Sequence, residues 1–158
     1  MAIWVKEAFN SEFWNEEEGC LYEEISEDSK NDTLSPNQIF AVSLPFTMLD
    51  PDKEKSVVKV VKDNLYIGVG LKSLEEGTAW GFMPGAFIEA YLKVGGHSAQ
   101  AIEEAKSMFE PVEKHLVTEC IGNYSENFNS EEPHQPKGCF AQAWSVGEIL
   151  RAYALLKK

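Results

Sequence analysis

The sequence predicts an all-α fold of three αα-hairpins laid side by side, and three features carry that expectation. Six segments repeat apolar residues at the three-to-four spacing of a helix. They alternate between a half-exposed and a mostly apolar type, the pattern of outer and inner helices in pairs. Two of them open on proline-bearing start signals. The inner helices are expected to begin at Pro36, Trp80 and Cys139. Side-by-side hairpins bring those starts, with the loops before them, to one end, and a site is expected there.

From Trp4 to Trp14, the residues Trp4, Val5, Ala8, Phe9 and Phe13 give a helix with one buried stripe, on the outside of the fold. The next stretch, NEEEGCLYEEISEDSKNDT, mixes acids, Gly19 and the apolar pair Leu21 and Tyr22. It suits an irregular, strand-like excursion and a turn, its acids simply solvated. Ser35, Pro36 and Gln38 then specify a helix start: a hydroxyl N-cap, proline at the first helical position, and glutamine at the third to complete a capping box. The IFAVSLPF that follows is apolar nearly all round, so this helix is buried on most sides until Pro45 kinks or ends it. Asp50 and Pro51 repeat the start signal. Val57, Val58, Val61 and Leu65 share one stripe with Lys55, Lys59 and Lys62 opposite.

YIGVGLKSLEEG is punctuated by glycine and reads as extended. A mostly apolar helix follows from Ala79 to Val94, carrying Trp80, Met83, Phe87, Ala90 and Tyr91. Pro84 and Gly85 delay its regular part, and Gly95 and Gly96 stop it. Ser98 caps the next helix, where Ile102, Ala105, Phe109, Val112 and Leu116 keep a 3-4-3-4 spacing. The last helix, CFAQAWSVGEILRAYALL, is apolar for most of its circumference.

The composition bounds function by exclusion. At 158 residues with 44% hydrophobic content, one core and one domain are expected. A net charge of −12, from 26 acidic and 14 basic residues, argues against nucleic acid and anionic membranes. A neutral polar ligand such as a sugar is compatible. Cys20, Cys120 and Cys139 match no zinc spacing, even with His115 and His134 added, and fit thiols in a reducing compartment. No metal or cofactor is expected. With no leader or membrane-length apolar run, the chain reads as cytoplasmic, and the sequons at Asn31 and Asn123 read as unglycosylated.

Between the last two helices, residues from Ile121 onward form a long polar loop without periodicity. A loop of that length in a compact domain is functional or disordered. Tyr124, Phe128, Pro133 and Pro136 favour order. Its flanked carboxylate, Glu126, is the candidate catalytic residue.

Three blocks carry a resemblance: SPNQIFAVSLP at 35–45, GTAWGFMPGAFIEAYLKV at 77–94 and SENFNSEEPHQPKGCFAQAWSVGEILRA at 125–152, supported by FNSEFWNEEEGCLYE at 9–23 and GLKSL at 70–74. Together they resemble the C-terminal portion of the bacterial and archaeal glycogen debranching enzyme family, the amylo-α-1,6-glucosidase domain. The resemblance implies about half of an (α/α)6 toroid and inverting hydrolysis of α-glucans with Glu126 as general base. The family's general acid would lie further towards the N-terminus than any position matched here. The chain departs from the family pattern in reading Ser35 where an arginine is usual. It has only Glu75 and Glu76 where an insertion stands, and Asn129-Ser130-Glu131 in place of Asp-Gly-Asp.

The substrate-binding candidates are Asn37, Gln38, Trp80, His134, Gln142 and Trp144. Each has a plainer alternative. Trp80 and Trp144 are core packing or a sugar-stacking platform. Gln38 serves the helix cap, His134 packs the loop, and Gln142 contacts sugar or braces the 125–138 loop. Glu75, Glu76 and Glu131 are further carboxylates for the same end. Two functions follow: a debranching-type glucosidase, incomplete or inactive alone, or a non-catalytic remnant that binds an α-glucan or a protein. Three inner helices that are apolar on most of their surface need a cover, so a homodimer is expected ahead of a closed monomer, with a complementing N-terminal half as the other partner.

Overall fold

The computed structural model describes residues 2–74, 77–119 and 121–157. In chain order the helices are α1 (Ala2–Glu12), a 3-10 turn (Pro36–Ile39) running into the single turn α2 (Phe40–Ser43), α3 (Pro51–Asn64), α4 (Met83–Val94), α5 (Ala99–Thr118) and α6 (Ala143–Leu156). The strands are β1 (Trp14–Asn15), β2 (Cys20–Leu21), β3 (Glu24–Ile25), β4 (Lys30–Asn31), β5 (Leu71–Lys72), β6 (Ala79–Trp80), β7 (Asn127–Phe128) and β8 (Pro136–Lys137).

The all-α expectation is therefore wrong. Among the described residues, β1 pairs with β2, β3 with β4, and a four-stranded antiparallel sheet runs in the order β5-β6-β7-β8. The physical reason lies in the loops. Tyr124 and Phe128 are buried, and a buried backbone must find hydrogen-bond partners. Strands of two residues supply them from segments far apart in the chain, where periodicity leaves no trace.

The same pairing moves two helix starts. Ala79 and Trp80 belong to β6, so α4 opens at Met83, with Pro84 in the first turn where a missing N–H costs nothing. Cys139 accepts a hydrogen bond from Glu126 N at 2.9 Å and Gln142 N donates to Tyr124 O at 3.2 Å. This commitment to the loop holds α6 back to Ala143 rather than Cys139.

The core centres on α4, whose Met83, Ala86, Phe87, Ile88, Ala90 and Leu92 are buried. It packs against α2, α3, α5 and α6. Gly85 lets α4 approach α6: a Cβ there would stand 2.8 Å from Glu148 Cβ. Lys93 of α4 donates to Glu54 Oε1 of α3 at 3.1 Å and to Val42 O of α2 at 2.7 Å, with Glu54 buried. One ion pair thus ties three helices.

Two expectations about burial fail. Phe9 of α1 and Phe13 just after it stack at 5.0 Å against the core, but Trp4 and Val5 are 75% and 54% exposed. Only the C-terminal half of that stripe reaches a partner. On α6, Ser145, Ile149, Ala152 and Leu156 are buried, while Trp144, Leu150 and Tyr153 are exposed. This helix is covered on one side only. No helix among the described residues is long and apolar enough to cross a membrane.

Candidate active site

The four-stranded sheet fixes which side chains reach the common end of the helices. Its register sets Ala79 opposite Phe128, both buried, and Trp80 opposite Asn127, both half-buried. Side chains alternate along a strand, so burying Ala79 and Phe128 turns Trp80 to the opposite, open face. The β5–β6 hairpin behind it is closed by Ser73 N donating to Thr78 O at 2.8 Å.

On that face Trp80 meets two further rings. Phe82 and Trp144 stack at 4.8 Å and 27°, and Trp80 stands edge-on to Trp144 at 6.0 Å and 86°. With Ser35, Asn37 and Ser73 they line a cleft of about 260 Å³. Three of the predicted binding residues, Asn37, Trp80 and Trp144, thus share one cavity, brought there by the 3-10 turn before α2, by β6 and by the first turn of α6. Trp144 is 48% exposed, which removes its core-packing alternative. A second groove of about 540 Å³ continues from Phe82 and Trp144 over Phe40 and Leu44 to Glu89, Glu148 and Arg151. Arg151 Nη2 lies 2.7 Å from Glu148 Oε2, and its Nη1 bonds Glu89. Those carboxylates hold the guanidinium pKa above its ordinary value.

Glu126 sits beside this cleft without lining it. Its carbonyl accepts from Gly81 N at 3.0 Å, between Trp80 and Phe82, and its Oε2 accepts from Cys139 N at 2.9 Å. Gly138 makes room for the carboxylate: it has φ +69°, and a Cβ there would lie 2.5 Å from Glu126 Oε2.

The other predicted residues lie elsewhere. Gln38 is buried, its Oε1 accepting from Leu21 N at 3.2 Å and its Nε2 donating to Ser35 O at 3.0 Å, so it clamps β2 to the helix start. It bonds the carbonyl of the cap residue, not the N–H that a capping box uses. Gln142 is the N-cap of α6, its Oε1 accepting from Ala143 N at 3.1 Å. His134 bonds Asn129 O through Nδ1 at 3.1 Å and lines a separate cleft of about 740 Å³ beside α5. Glu131 is exposed, and Glu75, Glu76 and Cys120 lie outside the described residues.

Sequence reasoning missed Phe82 and His115. Phe82 was legible as one more aromatic beside Trp80. His115 sits one position before Leu116 on the buried stripe of α5 and is itself buried, a histidine among apolar positions.

The chain matches the family described as amylo-alpha-1,6-glucosidase in two stretches, residues 1–76 and 75–151. It belongs to that family. A search of curated proteins finds no match. The two stretches of this amylo-alpha-1,6-glucosidase family member meet at residues 75 and 76, between β5 and β6 in the chain.

Proposed function

We propose that this chain is the base-bearing part of an α-1,6-glucosidase site for α-glucans, acting by inversion, with the general acid supplied from outside these residues. The observation that supports it best is the aromatic cleft. Trp80, Phe82 and Trp144 offer ring surface beside Ser35, Asn37 and Ser73, and a glucose unit carries both the C–H and the hydroxyl surface to match. Among the described residues no carboxylate lines that cleft; Glu23 accepts from Asn37 Nδ2 at 3.0 Å. Inverting hydrolysis needs an acid and a base about 6.5 to 9.5 Å apart with water between them. The Cys139 amide fixes one oxygen of Glu126, and a base works through the other.

The partner for the uncovered face of α6 is a second copy, since a two-fold axis lets Leu150 and Tyr153 of each copy cover the other and leaves Trp144 to the cleft. The free thiols of Cys20 and Cys139 suit the cytoplasm.

The test is titration calorimetry with isomaltose-type oligosaccharides, together with an assay for released glucose. Binding that Trp80→Ala and Trp144→Ala abolish, with helical content unchanged, is the expected result. The chain alone releases no glucose. Adding the N-terminal part of a relative restores release, and Glu126→Gln removes it again. Hydrolysis by the chain alone that survives Glu126→Gln would overturn the reading.

A further inference from the structure

We propose that His115 is the positioning residue for Glu126, holding its segment from the side away from the aromatic cleft. His115 lies near the C-terminal end of α5 and is 5% exposed. Its ring stands edge-on to Tyr124 at 4.9 Å and 74°, and to Phe128 at 5.0 Å and 77°. Its Nε2 shares a hydrogen bond with Ser125 Oγ at 3.2 Å. One imidazole therefore meets both residues before Glu126 and the second residue after it. An aliphatic side chain could fill the slot, but it would offer no nitrogen to the hydroxyl adjoining Glu126. Beyond Ser125, the Glu126 carboxylate takes the Cys139 amide at 2.9 Å, so the line of contacts runs from α5 to the entry of α6.

This arrangement makes the position of Glu126 depend on the charge of His115. Its own helix brings Lys114 and Glu119 to the surrounding cleft, and the 128–136 loop brings Glu132 and His134. The 66–70 turn faces it with the apolar Ile67 and Val69. Burial pushes the imidazole pKa below its ordinary value, and Glu119 opposes that only in part. The sign follows from linkage. Above the ordinary value of about 6.5 both folded and unfolded chains hold a neutral imidazole and the contribution is full. Below it the unfolded chain takes the proton first, so the contribution is lost between that value and the lowered one.

The functional meaning rests on Glu126 as base; the contact itself does not, and the test needs neither sugar nor activity. NMR of the whole chain from pH 8 to pH 4.5 follows the His115 ring Cε1–H and the Cys139 amide together. The expected result is a step in the Cys139 amide with the midpoint of the His115 ring, separate from any step due to the Glu126 carboxylate, which Glu126→Gln removes. In His115→Gln, which keeps a hydrogen-bonding group without the titration, the shared step disappears and Cys139 amide exchange at fixed pH changes less than about threefold. In His115→Ala that exchange rises tenfold or more while α3 amides hold their rates. A Cys139 amide indifferent to the His115 titration would overturn the proposal. So would all amides moving together, since that marks global unfolding. Should both variants fail to fold, the parent titration decides alone. Loss of sugar binding in the calorimetry would sink the glucosidase reading and leave this result standing.

Discussion

Helices α4 and α6 are both apolar around most of their circumference, yet one is covered and the other is not. α4 is flanked by four helices and buried at every position from Met83 to Leu92 but Glu89 and Tyr91, while α6 rests on α4 and α5 and leaves Trp144, Leu150 and Tyr153 exposed. An apolar circumference states what a helix is able to bury, not what stands beside it. Of these exposed residues Trp144 lines the aromatic cleft, while Leu150 and Tyr153 do not, so the difference separates residues that hold the fold from residues left open.

Substitutions along the two helices break or sharpen that contrast. The largest effect belongs to α4: Phe87→Ala removes a fully buried ring and is expected to cost about 3 to 5 kcal/mol, read from urea unfolding. A loss under 1 kcal/mol would show that α4 is no more essential than α6. Next, Lys93→Met leaves buried Glu54 without its partner at a cost of about 3 kcal/mol, and Glu54→Gln in the same chain recovers part of it. If the double variant is no better than the single, the pair is not acting as a unit.

On α6 the effects on stability shrink. Trp144→Ala is expected to lower it by about 1 kcal/mol, since half of the indole already faces water, while oligosaccharide binding is lost. A fall as large as that for Phe87→Ala would make Trp144 a core residue after all. Leu150→Glu is expected to leave monomer stability within about 0.5 kcal/mol, but to shift the mass seen by light scattering from a dimer to 17.7 kDa. A parent that is monomeric at low micromolar concentration, without binding apolar dyes, would remove the second copy as the cover for α6.

Legibility in the sequence followed the range of the signal. The stripe of α3, with Val57, Val58 and Val61 buried, and that of α5, with Ala105, Phe109 and Val112 buried, were readable because helical periodicity is local. That Asn37, Trp80 and Trp144 share one cleft was readable only in part, since Trp80 comes to it on strand β6 and not at a helix start. The strands were not readable, because Ala79 finds Phe128 only through tertiary pairing. Nor was the exposure of Trp4 and Leu150, which depends on what packs alongside. His115 escaped because it was tested only as a metal ligand, while its partners Tyr124, Ser125 and Phe128 come from the loop.

The β5–β6 hairpin has a consequence for how such chains change length. Its ladder, Leu71 to Trp80 and Lys72 to Ala79, is closed by the Ser73–Thr78 bond before the tip is reached. Residues added or removed beyond that bond alter only the closed loop, whose entropic cost rises by roughly 0.6 kcal/mol for each doubling in length. Trp80 keeps its place whatever the tip contains. The connection is therefore a point able to gain or lose residues without disturbing the ladder that sets Trp80, and the two family matches meet there.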